Sequence, residues 1–153
     1  MNGSSSEREM YSSNARILYV EDHEDTRDLL SYILARAGYE VIVAENPEQA
    51  AVLAQTTLFD LYLIDNWMPG ASGVELTGWL RKFDNETPIL FYSGAAYEQD
   101  KQAALAAGAQ GYLTKPADND KLVEEVFRLI SDARRSRTAG NLMQVAASGH
   151  LGF

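Results

Sequence analysis

Short apolar segments alternate with helix-like segments from Arg16 to about Ile130, and this alternation leaves the chain very few possible folds. The apolar runs predict strands at residues 17–20, 41–44, 61–65, 88–93 and 111–114. Apolar residues at helical spacing predict helices at about 25–37, 47–55, 72–83, 97–107 and 118–130. Strands that are apolar throughout and separated by helices form a parallel sheet covered on both faces. The sequence therefore predicts an α/β fold of five βα units.

The two ends of the chain do not share this alternation. The chain has 153 residues, enough for one ordinary domain, which we place at residues 15–131. Residues 1–14 are rich in Ser and Asn, so we expect a disordered lead-in. Residues 132–153 continue neither pattern, and we expect a tail that is disordered or forms a short helix docked on the domain or a partner. We expect no output domain.

Composition excludes several classes of protein. Hydrophobic residues make up 46% of the chain and charged residues 23%, which is typical of a globular domain with a core. No apolar run approaches the roughly 20 residues that a membrane span requires, and the absence of cysteine excludes disulfides and thiolate metal sites. The net charge of −9 argues against nucleic-acid binding. We therefore expect a cytoplasmic protein without membrane or nucleic-acid contacts.

Chemically apt side chains follow four of the five predicted strands. Glu21 and Asp22 follow the first strand, Asp65 ends the third, Ser93 ends the fourth and Lys115 follows the fifth. Singly, each has an ordinary explanation, because acids favour helix N-termini, serine forms turns and loop lysines are solvated. Ligands of parallel sheets bind outside the carboxyl ends of the strands, so the convergence of all five at one edge favours a functional site.

The chemistry that suits this set is phosphoryl transfer. Crowded carboxylates keep their charges at neutral pH only when a cation is present, and an all-oxygen cluster suits Mg²⁺. Lys115 can neutralise charge on a phosphoryl group, and Ser93 can donate a hydrogen bond to it. Asp65 can attack phosphorus and become an aspartyl phosphate.

The order of these residues resembles the receiver domain of bacterial two-component response regulators, the CheY-like family, over about residues 15–131. The motifs that carry the resemblance are Glu21-Asp22, Asp65 followed by Met68-Pro69 and Gly73, Ser93-Gly94, and Lys115-Pro116. The resemblance implies a flavodoxin-like doubly wound (βα)5 fold with a five-stranded parallel sheet in the order 2-1-3-4-5.

The resemblance also implies a role for each acidic residue. Asp65 would be the phosphoacceptor, receiving its phosphoryl group from a histidine kinase or a phosphotransfer protein. Asp22, Asp65 and the backbone carbonyl of Trp67 would bind Mg²⁺, for which Mn²⁺ could substitute, and Glu21 would act through a water. The protein would catalyse only its own phosphorylation and dephosphorylation, so it would not be an enzyme in the ordinary sense.

The remaining motif residues would bind the phosphoryl group or transmit its presence. Ser93 and Lys115 would contact the phosphoryl oxygens. The peptide bond that corresponds to Lys115-Pro116 is often cis in this family. Tyr112 matches the aromatic that moves inward when the hydroxyl residue shifts. The output would be contact with a downstream protein through the face of the fourth helix, fifth strand and fifth helix, by a monomer or weak homodimer.

Two residues depart from the family pattern. Trp67 and Ala95 are apolar at positions where relatives often have polar side chains that orient the attacking water. We hypothesise that Trp67 shields the acyl phosphate and slows its hydrolysis; the alternative is that its indole faces outward as an interface residue.

Three other functions are possible for such a sequence. A haloacid dehalogenase-type phosphatase needs a proton donor two residues after its nucleophile, where this chain has Trp67. His23-Glu24 resembles the His-acid pair of a histidine kinase, but the long helix and ATP domain of those proteins are not predicted, so we expect His23 to be an exposed loop residue. A degenerate receiver that acts without phosphorylation remains open, although the intact acidic set argues against it.

Overall fold

Five strands and five helices alternate along the chain in the computed structural model, which describes residues 15–150, with side chains to residue 147. The strands are β1 (Arg16–Val20), β2 (Glu40–Ala44), β3 (Leu61–Ile64), β4 (Ile89–Ser93) and β5 (Gly111–Thr114). The helices are α1 (Glu24–Arg36), α2 (Pro47–Thr56), α3 (Gly73–Arg81), α4 (Glu98–Ala107) and α5 (Asn119–His150). The predicted lead-in at residues 1–14 lies outside the described residues.

The strands form one parallel sheet in the order β2-β1-β3-β4-β5, which confirms the predicted fold. The register aligns the carboxyl ends of the central strands, because Val20 lies opposite both Ala44 and Ile64. At the other side of the sheet Ser93 lies opposite Thr114. The loops that leave these ends therefore meet along one edge.

A separate apolar cluster covers each face of the sheet, because alternate side chains of a strand point to opposite faces. One cluster joins strand residues such as Ile17 and Leu63 to α1 and to the first half of α5. The other joins residues such as Leu18 and Phe91 to α2, α3 and α4. The two clusters hold the sheet between helix layers and fix the edge that carries the polar residues.

Side-chain caps begin three of the helices. Asn46 Oδ1 accepts from Gln49 N–H at 2.8 Å before Pro47, and Ser72 Oγ accepts from the Glu75 N–H at 3.1 Å. His23 caps α1 by accepting from the Thr26 N–H at 3.4 Å. Although His23 is exposed as predicted, it has a structural role at the start of α1 that the sequence analysis missed.

The last helix is twenty residues longer than predicted. We expected α5 to end at about Ile130 and a disordered tail or a separate short helix to follow, but α5 continues to His150, so that prediction was wrong up to this residue. The apolar periodicity stops at Ile130 because the helix leaves the domain there: residues 135–147 are all exposed. Arg134 forms an ion pair with Asp60 at 3.5 Å at the point of departure. No described helix is long and apolar enough to cross a membrane.

Candidate functional site

Three carboxylates meet at the carboxyl edge of the sheet. Glu21 and Asp22 follow β1, and Asp65 follows β3, the strand that pairs with β1. One carboxylate oxygen from each lies within 4.8 Å of the other two. Because hard oxygen ligands at this spacing are what a divalent cation such as Mg²⁺ requires, the residues present fit a metal site.

The burial of Glu21 makes this cluster electrostatically unusual. Glu21 is 1% exposed and Asp65 is 9% exposed, whereas Asp22 is open to solvent. Burial and the neighbouring Asp65 together raise the pKa of Glu21 to about 7, against the opposing effect of Lys115. Its Oε2 atom is buried without a hydrogen-bond partner among the described residues. A cation would relieve this cost, because it favours the ionised form of each carboxylate.

Lys115 brings the opposing charge from the end of β5. Its Nζ lies 2.9 Å from Glu21 Oε1 and 3.7 Å from Asp65 Oδ2. The same residue is fixed through its backbone, because its N–H donates to Ser93 O at 2.8 Å and its bond to Pro116 is cis. The ammonium also lies 5.5 Å from the centre of the Tyr92 ring, within the range of a cation–π contact.

Ser93 and Tyr112 are linked through the backbone of Ala95. The fully buried Ser93 accepts a hydrogen bond from the Ala95 N–H at 3.3 Å. Tyr112 donates its hydroxyl proton to Ala95 O at 2.6 Å and stacks on Phe91 with ring centres 5.6 Å apart. Burial raises the pKa of Tyr112, while Ser93 and Asn66 oppose the rise. Tyr112 is half-buried against Phe91, and Ala95, predicted only as an apolar departure, connects it to the hydroxyl residue.

The loop after Asp65 is shaped by tight packing at Gly73. A Cβ atom at Gly73 would lie 2.8 Å from Asp65 O and 2.9 Å from Phe91 Cε2, so only glycine fits there. Gly70 adopts a φ of 95° and turns the chain toward α3. Ahead of both glycines, the side chain of Trp67 is 61% exposed, and its backbone N–H donates to Asp65 Oδ1 at 3.4 Å.

The structure brings together the predicted acids, Lys115 and Ser93, while Met68 and Pro69 belong to the loop and not to the cluster. Sequence reasoning missed three neighbours. Arg27 donates to the backbone carbonyl of Glu21 at 3.1 Å, the Tyr92 hydroxyl accepts from the N–H of Ala117 at 3.2 Å, and Asn66 is buried beside Asp65. The only signal in the sequence for these three residues was their position close to motif residues at the ends of strands and helices.

Comparisons with known proteins agree with this geometry. Residues 17–127 match the model of the response regulator receiver domain. The chain is 43% identical over 120 residues to the uncharacterized transcriptional regulatory protein YrkP of Bacillus subtilis, an alignment that covers 78% of this chain and 50% of that protein. The chain spans about half the length of this and several other curated relatives. The expected absences of an output domain and of nucleic-acid contacts therefore stay predictions.

Two solved structures share the architecture. A CheY-like receiver domain protein from Methanospirillum hungatei JF-1 superposes with a TM-score of 0.78 at 27% identity, covering 81% of this chain and 99% of that one. The receiver domain of the sensor histidine kinase PA1611 from Pseudomonas aeruginosa PAO1, solved with a magnesium ion coordinated in its active-site cleft, gives 0.73 at 27% identity, covering 78% and 99%. By its sequence match and its fold, the chain belongs to the response regulator receiver domain family.

Proposed function

We propose that Asp65 is the phosphoacceptor of a two-component or phosphorelay pathway and receives its phosphoryl group from a phosphohistidine. The observation that carries the proposal is the position of Asp65 at the edge of the sheet, between two other carboxylates and the ammonium of Lys115 at 3.7 Å. The donor would be a histidine kinase or a phosphotransfer protein acting in the cytoplasm. The protein would promote only reactions of its own Asp65.

Magnesium would be held by the acid cluster. Asp22 and Asp65 would bind it directly with the backbone carbonyl of Trp67, and Glu21 would act through a water; Mn²⁺ could substitute. Support comes from the close carboxylate oxygens and the unpartnered Glu21 Oε2. When bound, the cation would neutralise negative charge on the acceptor and the transferring phosphoryl group.

The protein groups would align and stabilise an in-line transfer. One Asp65 carboxylate oxygen attacks phosphorus, a P–O bond forms, and the P–N bond breaks with its electron pair returning to the imidazole nitrogen. Lys115 would stabilise negative charge on the phosphoryl oxygens, and Ser93 would donate a hydrogen bond to them. Because these groups are already fixed by β4 and β5, little reorganisation is needed at the moment of transfer.

The output would pass through Ala95. A phosphoryl group that attracts the Ser93 hydroxyl would change its hydrogen bond to the Ala95 N–H, and Ala95 O is the acceptor of the Tyr112 hydroxyl. The position of Tyr112 on β5 makes the α4–β5–α5 face the surface whose population of conformations would shift. A downstream protein would bind that face.

Intact-mass measurement after incubation with acetyl phosphate and Mg²⁺ tests the proposal. We expect the mass of one phosphoryl group on the wild type, its loss in Asp65→Asn or when a chelator is present, and its release by hydroxylamine. Asp60→Asn is a matched control, because Asp60 lies at the opposite end of β3 and pairs with Arg134. Labelling that persists in Asp65→Asn would refute the assignment. Failure of the wild type to label would favour a degenerate receiver, and turnover of a phosphomonoester would favour a phosphatase.

A further inference from the structure

Tyr19 places a phenol hydroxyl in the interior behind the acid cluster. The residue lies in β1, is 1% exposed, and packs in the apolar cluster between the sheet and the α1 and α5 helices. Its hydroxyl is buried and has no hydrogen-bond partner among the described residues. A buried hydroxyl without a partner costs stability that a phenylalanine would avoid, so packing alone does not explain the oxygen atom.

The charged groups of the candidate metal site act on this hydroxyl. Burial raises the pKa of Tyr19, and the negative charges of Glu21 and Asp65 raise it further, while Arg27 has the opposite effect. Tyr19 precedes Glu21 by two residues, the spacing at which side chains of a strand lie on the same face. The spacing thus puts Tyr19 on the same face as Glu21, and the charges of Glu21 and Asp65 act on its hydroxyl.

Glu21 has a buried hydrogen-bond acceptor that lacks a donor. Its Oε1 atom accepts from Lys115 Nζ at 2.9 Å, but its Oε2 atom is buried and has no partner in the part of the chain that the structure describes. A phenol has one proton to donate, and a carboxylate oxygen can accept that hydrogen bond. A donor without an acceptor in β1 and an acceptor without a donor directly after β1 thus lie two residues apart.

We propose that Tyr19 is a positioning residue of the acid cluster, whose hydroxyl supplies the hydrogen bond that Glu21 Oε2 lacks and so fixes this carboxylate for divalent cation binding. The inference rests on the proposed function, because it assumes that the acid cluster binds the cation. Lys115 holds one oxygen of Glu21, and Tyr19 would hold the other when the cation binds. Groups that orient the ligands of a metal site typically change its affinity by about 10- to 100-fold when they are removed.

The test is a Mg²⁺ titration of the wild type and of Tyr19→Phe at neutral pH, followed through the fluorescence of Trp67, which lies two residues after Asp65. We expect Tyr19→Phe to bind Mg²⁺ about tenfold more weakly, while its metal-free melting temperature stays equal or rises. Tyr62→Phe is the matched control. Tyr62 is also 1% exposed, but its hydroxyl donates to Asp84 at 2.7 Å, away from the acid cluster. This control should lose stability and keep its Mg²⁺ affinity.

A double-mutant cycle with Glu21→Gln shows whether Tyr19 acts through Glu21. In the Glu21→Gln background, Tyr19→Phe should have no further effect on Mg²⁺ affinity; an additive loss would overturn the inference. Equal affinity of wild type and Tyr19→Phe would overturn it as well, with the proposed metal site intact. A wild type that binds no Mg²⁺ would instead refute the metal site and the inference together.

A second measurement covers the case in which Tyr19→Phe does not fold. The ¹³Cζ resonance of Tyr19 in labelled wild-type protein should move on addition of Mg²⁺ as the hydroxyl engages the carboxylate. The resonance of Tyr62 serves as the internal control. A Tyr19 resonance that moves no more than that of Tyr62 would overturn the inference.

Discussion

The buried carboxyl of Glu21 should make the metal-free protein less stable as the pH rises. Its pKa is raised from 4.5 to about 7, chiefly by burial, so the folded protein keeps the proton over a range in which the unfolded chain has released it. The stabilisation is therefore complete below pH 4.5 and is lost as the pH rises through 7. A pKa change of this size corresponds to roughly 3 kcal/mol of unfolding free energy.

The variant Glu21→Gln isolates this contribution, because its neutral amide cannot ionise and every other titrating group is shared with the wild type. The two proteins should have similar free energies of unfolding near pH 5. By pH 8 the variant should be more stable by roughly 2 to 3 kcal/mol. The Lys115 ammonium, which lies 2.9 Å from Glu21 Oε1 and also near Asp65, stabilises the ionised wild type, and the pKa of about 7 already includes its effect.

Urea denaturation in the presence of a chelator, at several pH values between 5 and 8, measures the difference directly. Saturating Mg²⁺ at pH 8 should restore stability to the wild type more than to Glu21→Gln, because binding to the folded state alone adds to its stability. Parallel pH profiles for the two proteins would refute the reasoning, since they would show that Glu21 is not the group whose ionisation the fold opposes.

Three further predictions concern glycines and Trp67. Gly73→Ala, whose Cβ would lie 2.8 Å from Asp65 O, should lower the free energy of unfolding in urea by about 1–3 kcal/mol and reduce labelling of Asp65. The control Gly78→Ala, in open space on the same helix, should raise the free energy of unfolding by about 0.5–1 kcal/mol. Equal effects of the two substitutions would contradict the packing at Gly73. Gly140→Ala should increase amide protection of the projecting part of α5 without changing global unfolding; unchanged protection would contradict a continuous helix. Because the Trp67 indole is 61% exposed, we expect the outward-facing alternative to hold, so Trp67→Asn should leave the decay of the aspartyl phosphate, followed by intact mass, unchanged; faster decay in the variant would support the shielding hypothesis instead.

Local patterns were sufficient for the architecture and for the inner part of the site. The five strands are apolar throughout because helices cover both faces of the sheet. Continuous apolar runs in the sequence therefore predicted the strands. The carboxyl ends of parallel strands share one edge of the sheet. Each of Glu21, Asp65 and Lys115 comes at the end of a predicted strand, so the sequence predicted that these three groups would meet. The structure adds the distances, including 3.7 Å between Lys115 Nζ and Asp65 Oδ2.

The errors have a common physical cause. The apolar periodicity of α5 ends at Ile130 because the apolar packing against the domain ends there, but the helix continues to His150. His23 was predicted only as an exposed loop residue. Its role as a helix cap depends on the direction of its side chain, which the sequence does not give. A pattern of apolar residues reports which positions are buried, and it does not report where a helix stops when one end is exposed to solvent.

The sequence by itself determined the alternation of strands and helices, the turns, and the identity of the groups at the sheet edge, because these depend on neighbours along the chain. Only the tertiary structure decided that Ala95 links Ser93 to Tyr112 and that the Trp67 indole faces solvent. It also decided that the hydroxyl of Tyr19 is buried behind Glu21 without a partner. Such relations depend on side chains packing between strands that are distant in sequence, and no local spacing encodes them.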